Sequence, residues 1–445
     1  MNFLKKQSPV RIISLGFALV ILIGSVLLSL PYSIRDGVTL RYIDALYMST
    51  SAVCVTGLLT VDAGDTFTPL GQFFLGMLIQ VGGLGFITVG TAVSIILRRK
   101  IGLKQRGWIR ESFNVLDIGG AVRLIKRVIK GTLFIEGLGA LLLFTRFLPR
   151  MGVLQAFYYS IFHSISAFCN AGFDLMGKYE AFSSFTAYCD DPVVTFTLIG
   201  LILSGGLGFF CWSDIVDHKF HFRKYALQTK MVLSASVVLV FGGALLFYLI
   251  EGNALYAGMT LTGKICSSFF SAVTPRTAGF NTTDIGGLSD AGKLLSIILM
   301  FIGGGSGSTA GGVKVGTVFV LILYLRSTLL RSPGTNIFGR RIESDTITKA
   351  SAVFCTNLFF SLIGTLLLCA TQHFDLADAM LEVVSAISTV GMTAGLTTKL
   401  NTLSKLVIIG LMYLGRVGSL SFALSFTDHK KIAHVMQPVE PINIG

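Results

Sequence analysis

Charge is what this chain is short of. Asp, Glu, Lys and Arg make up 13% of its 445 residues, against roughly 25% in a soluble domain. Apolar residues make up 52% and mean hydropathy is +0.74. In water such a chain would expose apolar surface it has no means of covering; in a bilayer that surface is satisfied. Apolar segments recur to the C-terminal end, so a signal peptide does not account for them. Cysteine chemistry is also sparse. The seven cysteines, at 54, 169, 189, 211, 266, 355 and 369, form no C-x-x-C pair, and neither a zinc site nor a disulfide framework follows. Of the six histidines, His218 and His221 flank a basic stretch and read as solvated loop residues rather than metal ligands. Paired carboxylates, a metal cluster and a nucleophile–base pair are missing from the apolar stretches, so a membrane enzyme is not expected.

What charge there is leans positive, at +13. A basic excess raises the question of nucleic acid, but the distribution answers it. With both termini placed on one side of a membrane, 24 of the 36 Lys and Arg fall on that side and 10 on the other, while Lys314 and Arg416 lie inside apolar stretches. This is the positive-inside bias, and it puts both termini in the cytoplasm with no nucleic-acid partner.

Long apolar stretches occur near 10–30, 70–97, 131–148, 193–212, 231–250, 294–325, 350–370 and 403–426. Each is near the ~20 residues that cross ~30 Å of hydrocarbon at ~1.5 Å per residue. Irregular backbone in lipid leaves polar groups unpaired, so eight helical spans are expected. Between successive pairs lie shorter segments, 42–53, 154–168, 257–273 and 376–387, too short to cross and expected to be re-entrant. The charge rule puts all four on the extracellular side.

Internal repetition carries the most information. The re-entrant segments end in Ser51-Ala-Val-Cys-Val-Thr-Gly57, Ser166-Ala-Phe-Cys-Asn-Ala-Gly172, Ser271-Ala-Val-Thr-Pro-Arg-Thr-Ala-Gly279 and Ser385-Ala-Ile-Ser-Thr-Val-Gly391, the third aligned with a two-residue insertion. After a further 24–33 residues each is followed by a second glycine cluster: Gly82-Gly-Leu-Gly-Phe86, Gly205-Gly-Leu-Gly-Phe209, Gly303-Gly-Gly-Ser-Gly307 and Gly415-Arg-Val-Gly-Ser419. A polar insertion near 177–191 lengthens the second gap. The expected architecture is all-α and integral to the membrane, with four pseudo-symmetric helix–pore helix–helix repeats around one central pore. The repeats run 1–120, 121–227, 228–348 and 349–445, with no soluble domain left over.

A cation entering a pore loses water, and backbone carbonyls aimed at one axis replace that shell. Glycine lets the backbone take the dihedrals this needs, and the partly negative C-terminal ends of four re-entrant helices favour a cation between them. One Ser-Ala-x-x-x-x-Gly alone reads as a helix-packing glycine; four at matching positions read as a ring.

These segments, with the long glycine-rich sixth span, resemble the Trk/Ktr/HKT potassium transporters over about residues 10–430, most of all the membrane subunits of bacterial Ktr uptake systems. The resemblance implies a potassium-channel-like fold. It implies a selectivity filter at Cys54, Val55, Thr56 and Gly57; Cys169, Asn170, Ala171 and Gly172; Arg276, Thr277, Ala278 and Gly279; and Ser388, Thr389, Val390 and Gly391. Potassium would be held at their carbonyls as substrate, with sodium as an activator and no resident cofactor. In that family a glycine in all four turns goes with potassium, and a serine for the first goes with sodium preference. It further implies a homodimer in a bacterial cell membrane, surrounded by lipid and seated on a cytoplasmic RCK-type ring that binds ATP or ADP. The basic stretches 98–110 and 217–230 are available for docking such a ring.

The sixth span holds Gly303, Gly304, Gly305, Ser306, Gly307, Ser308, Thr309, Ala310, Gly311 and Gly312, followed by Lys314. So many glycines, at ~1 kcal/mol each relative to alanine, do not hold a regular helix. Broken helix is tolerated at membrane depth only where it lines a cavity. An unwound gate loop over 303–313 is expected, and the resembled family has one there. A dinucleotide fingerprint at Gly305-x-Gly307-x-x-Ala310 fails for want of a strand–helix frame. Arg416, in the aligned position of the last repeat, is costly in an apolar helix and so is read as functional; it is expected to pair with loop carbonyls and form a positive barrier. Lys314 is a second such charge or an interface anchor. Glu136 is a proton relay or, more simply, a hydrogen-bonded structural glutamate. Asp62, Asp65, Asp174, Asp190, Asp191 and Asp375 either enrich cations at the outer mouth or are ordinary loop residues. The competing function is a cation-coupled secondary symporter for another small solute, which would use inverted repeats; repeats in one orientation favour the pore.

Overall fold

The computed structural model describes residues 9–97, 102, 107–108, 120–219 and 221–418. Most of the basic stretch 98–110, and the tail beyond 418, lie outside the described residues.

Four long apolar helices open the four repeats: α1 (Pro9–Ser29), α5 (Ala121–Met151), α9 (Leu227–Glu251) and α13 (Ser344–Thr371). A short helix follows each: α2 (Tyr42–Cys54), α6 (Val153–Phe168), α10 (Leu261–Val273) and α14 (Leu376–Ile387), close to the segments read from sequence as re-entrant. In repeats one to three the third helix is divided. Repeat one has α3 (Pro69–Leu84) and α4 (Phe86–Ile96), repeat two α7 (Pro192–Gly206) and α8 (Phe209–His218). Repeat three has α11 (Asp290–Phe301) and α12 (Val315–Leu329), and repeat four α15 (Thr402–Val417). A small hairpin, β1 (Asn336–Ile337) with β2 (Arg340–Arg341), joins the third repeat to the fourth.

The helix starts are fixed by caps that the sequence supplies. Thr68, Asp191, Thr260, Ser289, Asp375 and Asn401 each accept amide hydrogen bonds from the first turn they precede, with Pro69 and Pro192 at the next position. Asp191 and Asp375 are thereby committed to capping. Asp190 is likewise occupied, accepting from the Thr260 hydroxyl at 2.8 Å.

Two spans expected to be continuous are broken. The 70–97 and 193–212 stretches each bend by 96°, at Gly85 and at 207–208. Gly85 and Gly208 have φ of +80° and +97°, which an L side chain rarely adopts, and apolarity alone carries no sign of such a break. The glycines just before these breaks have another task. A Cβ on Gly82 would strike the carbonyl of Val53, and one on Gly205 that of Phe168; Gly415 meets Ile387 in the same way. Each lets a spanning helix press against the final turn of a pore helix.

Polarity is inverted relative to a soluble protein. Leu133, Phe134, Val238 and Leu366 on the long helices are 64%, 72%, 68% and 69% exposed, as a lipid-facing surface requires. The pore helices are the buried part, with Ser49 through Cys54 shielded entirely. Polar ties cross each repeat boundary. Tyr158 donates to Gln72 at 3.2 Å, Thr260 to Asp190, Lys293 to Asp378 at 2.7 Å, and Lys405 to Asp44 at 2.5 Å. The last closes the circle between the fourth repeat and the first.

Gly205→Val should therefore destabilise the folded protein by about 1–3 kcal/mol, the usual cost of overpacking. Gly200→Ala, which meets nothing within 4 Å, should leave it unchanged. Thermal unfolding of the two variants in detergent measures the difference; equal midpoints would refute the packing role.

Candidate functional site: a ring of four glycine turns over an unwound loop

After each pore helix the backbone makes the same excursion. Val55, Asn170, Thr277 and Thr389 take φ of 51°, 58°, 71° and 52°. Two residues later Gly57, Gly172, Gly279 and Gly391 take φ of 90°, 69°, 76° and 94°. Left-handed backbone at a non-glycine residue costs on the order of 1–3 kcal/mol and persists where the surroundings impose it. Val55, Thr277 and Thr389 are β-branched, for which the departure is sharpest.

Hydrogen bonds hold the excursion. The amides of Thr56, Ala171 and Val390 donate to the carbonyls of Ser51, Ser166 and Ser385, each at 2.8 Å, and that of Ala278 to Thr274 at 2.9 Å. Side-chain hydroxyls add a second tie. Ser51 Oγ accepts from Gly57 N and Ser385 Oγ from Gly391 N, both at 3.0 Å; Ser166 Oγ accepts from Phe173 N; Thr274 Oγ1 donates to Phe280 O at 2.6 Å. In a trans peptide the carbonyl points opposite to its amide. Amides drawn back to the pore helix therefore send the carbonyls of Val55, Thr56, Asn170, Thr277, Thr389 and Val390 the other way.

That other way is toward the neighbouring turn. A Cβ on Gly57 would lie 2.6 Å from Ala171 O, one on Gly172 2.7 Å from Ala278 O, and one on Gly279 2.5 Å from Val390 O; one on Gly391 would strike Thr56 O. The contacts run from repeat one to two to three to four and back to one. The four turns form a closed ring, and the four predicted segments are brought together in it. The Asn170 amide and the Thr277 hydroxyl, 3.1 Å apart, pin two of the turns to each other.

The third turn is built differently from the sequence alignment. Ser271, matched there to Ser51, instead faces the Tyr256 hydroxyl at 2.8 Å, and Thr274, three residues on, does the work of the other serines. α10 ends at Val273, two residues past Ser271 as in the second and fourth repeats, so the two extra residues lie in the turn between the helix and Gly279. The Arg276 guanidinium reaches Ser236 Oγ at 3.0 Å on α9, leaving only backbone for the ring.

The 303–313 segment is non-helical, as the glycine content predicted. Gly303 N donates to Val313 O, Val315 N to Gly304 O and Gly305 N to Gly206 O, at 2.8, 3.0 and 2.7 Å. The loop lies against the ring: a Cβ on Gly311 would enter Thr389, and one on Gly312 would press on Ser388. Gly307 O accepts from Phe209 N at 2.9 Å, so the loop also fills the break between α7 and α8. Lys314 Nζ is fastened to the loop's own carbonyls, Ala310 at 2.6 Å and Gly311 at 3.2 Å. Arg416 donates to Thr309 O in the loop and, at 2.5 and 3.1 Å, to Gly82 O and Gly83 O of the first repeat. Of the filter and loop residues named from sequence, Ser306, Ser308 and Ala310 contribute their place in this loop.

Three features were not legible in the sequence. His163 is fully buried behind the second turn; Nδ1 lies 2.7 Å from Tyr159 O and Nε2 3.1 Å from Leu175 N. Carbonyl on one side and amide on the other require a neutral ring with its proton on Nδ1. The 177–191 insertion crosses the outer side, with Phe182 N bonded to Asp62 Oδ2 and Phe185 N to Asn281 O, both at 2.8 Å. Glu382 accepts from the Thr393 and Thr397 hydroxyls, fixing the segment after the fourth turn. Glu136 is buried with Gln80 as its side-chain partner at 3.3 Å.

A multi-pass helical protein with re-entrant helices meeting in a backbone ring is built as a transport protein. Residues 11–434 match the TrkH family, described as cation transport proteins, and the chain belongs to that family. It is 37% identical to the potassium/sodium uptake protein NtpJ of Enterococcus hirae over 99% of this chain and 98% of that one. It is 38% identical to the Ktr system potassium uptake protein B of Bacillus subtilis over 94% and 93%. Among solved structures, the potassium transporter TrkH from Vibrio parahaemolyticus superposes with a TM-score of 0.72 at 22% identity, over 93% of this chain and 84% of that one.

Outside the spans, just past the second turn, burial and then the charge of Asp62 push the Asp174 carboxyl up to about 7. The folded protein there keeps a proton that the unfolded chain releases near 3.8. Its contribution to stability is thus fully present below that value and is lost as pH rises through about 7. Asp174→Asn should flatten the fall in thermal midpoint over this range; an unaltered slope would place the titration elsewhere.

Proposed function

We propose that the chain carries potassium across a bacterial cell membrane, through a filter formed by Cys54–Gly57, Cys169–Gly172, Arg276–Gly279 and Ser388–Gly391. The observation that carries this reading is the cyclic contact of the four glycines, each placed against the carbonyl preceding the next. Such a ring supplies oxygens to a dehydrated cation without side-chain charge. The pore helices aim C-terminal ends worth roughly −0.5 elementary charge each at the same centre. The uptake-protein relatives point the same way, and the potassium/sodium uptake protein among them fits a filter that passes some sodium.

In this proposal the loop from Gly303 to Gly312 is the gate, with Lys314 and Arg416 as its positive charges. Both termini are cytoplasmic. The protein works as a homodimer, gated by a cytoplasmic nucleotide-binding ring docked on the face of the basic linkers. ATP on that ring would open the gate.

Rubidium and sodium flux into liposomes tests the filter. Gly57→Ser, Gly172→Ser, Gly279→Ser and Gly391→Ser each add left-handed strain of about 1–3 kcal/mol and a side chain at the ring. Each should reduce the preference for rubidium by on the order of tenfold, the equivalent of ~1.4 kcal/mol. Full selectivity in all four variants would remove the filter assignment.

Arg416→Gln tests the gate in the same liposomes. Loss of the hydrogen bonds to Thr309, Gly82 and Gly83 should raise uptake several-fold. Unchanged or lost uptake by a variant that still elutes as a folded species would overturn the barrier role.

A further inference from the structure

A cavity of about 690 Å³ opens between the linker that precedes α9 and the hairpin that precedes α13. Five cations line it: Arg223, Lys224 and Lys230 from one side, Arg340 and Arg341 from the other. The two groups are more than a hundred residues apart in sequence. Positive-inside topology asks only that such charges lie on one side of the membrane; it does not ask them to converge on one pocket, where they repel.

No carboxylate among the described residues neutralises the cluster. Among the described residues none of the five forms an ion pair. The nearby carboxylate, Asp214, is half of a pair with His218 at 2.9 Å and accepts from Ala226 N at 2.9 Å. Lys230 Nζ donates to the Arg223 carbonyl at 2.8 Å, a neutral acceptor. The cluster lies where the spanning helix α9 begins. Lys230 is in the first turn of spanning helix α9, and Leu329 and Leu330, where α12 runs toward the hairpin, are 75% and 67% exposed. Phe222 and Phe338 meet edge to face at 6.0 Å beside it, each nearly half exposed.

We propose that this pocket binds the headgroup of an anionic phospholipid of the cytoplasmic leaflet. Basic pockets between spanning helices on that side suit such headgroups. Arg340 and Arg341 present planar forks to phosphate oxygens, Lys224 and Lys230 complete the charge, and the two phenylalanines lie where acyl chains begin. A soluble anion would use the charges but not the apolar rim. The bound lipid bridges the linker before the third repeat to the linker after it.

The test uses the full-length chain, purified and titrated with phosphatidylglycerol or phosphatidylcholine. Retained lipid is read by native mass spectrometry and stabilisation by thermal midpoint, both independent of transport. Phosphatidylglycerol should bind and stabilise where phosphatidylcholine does not. At about 1 kcal/mol per cation, Arg340→Gln with Arg341→Gln should raise the half-saturating concentration by about thirty-fold, and the paired Arg→Lys variant should recover most of it. Lys349→Gln, which removes an exposed cation paired with Asp345, should behave as the unmodified protein. If the glutamine pair does not fold, Lys224→Gln with Lys230→Gln is held to the same criterion. Equal weakening by Lys349→Gln would reduce the effect to general surface charge and overturn the site. Displacement of the lipid by inorganic phosphate, ATP or an acidic peptide at comparable concentration would assign the pocket to a soluble anion or a protein partner and overturn it equally.

Discussion

Four stretches of main chain meet at one place so closely that a methyl group does not fit between them. Backbone approaches backbone at this distance only where both φ and the missing Cβ permit it, and glycine alone satisfies both. The rest of the structure follows from keeping that junction in place. The strained residues two positions ahead of each glycine need an enclosure that over-determines them. The pore helices provide it from behind through the serine and threonine hydroxyls at their last turns. The second glycine of each of repeats one, two and four then draws a spanning helix onto the end of that pore helix. Close packing of helices in lipid depends on such small residues, and here they set the position of the ring.

The same logic explains why the third helix of repeats one and two is not a plain span. Beyond Gly205 the loop lies in the way, since a Cβ on Gly208 would come within 2.6 Å of Ser306 O. The chain instead turns at Gly85 and at Gly208, and the carbonyls freed at the breaks find partners. Gly205 and Gly206 accept from the loop amides of Thr309 and Gly305, and Gly82 and Gly83 accept from Arg416. Unpaired backbone in a bilayer is costly; loop and arginine satisfy here what the breaks expose.

Much of this could be read before any coordinates. Apolar length gave the four long helices, short length the pore helices, and repetition the number of turns in the ring. Glycine density gave the unwound loop. The misses have physical reasons. The breaks at Gly85 and Gly208 are invisible to hydropathy, because the residues on both sides are equally apolar. Ser271 holds its aligned place two residues before the end of α10, but its hydroxyl is drawn to Tyr256, a partner that no motif reports. The aspartates around the outer side have two readings in sequence, and a cap needs only the following two or three amides to be free. His163 gives no signal at all: a lone histidine on an apolar face acquires meaning only when a carbonyl and an amide are found on its two nitrogens.

The asymmetry of the four repeats has its own consequence. A ring made of identical turns would treat all directions alike, yet the third repeat alone carries the long loop, and the fourth alone carries Arg416. That guanidinium is bonded to carbonyls of the first and third repeats and, among the described residues, to no carboxylate. Its charge is therefore balanced by backbone dipoles, the currency in which the ring itself is built. If the ring holds a cation, as proposed, one set of carbonyls attracts it while Arg416 repels it a short distance away, so well and barrier are coupled through shared backbone. Moving the loop, and Thr309 O with it, away from Arg416 would loosen one arm of the arginine, and the Gly82 and Gly83 carbonyls would keep the other. In the gate as proposed, an opening motion would then need only the loop to shift, with the glycine ring left intact.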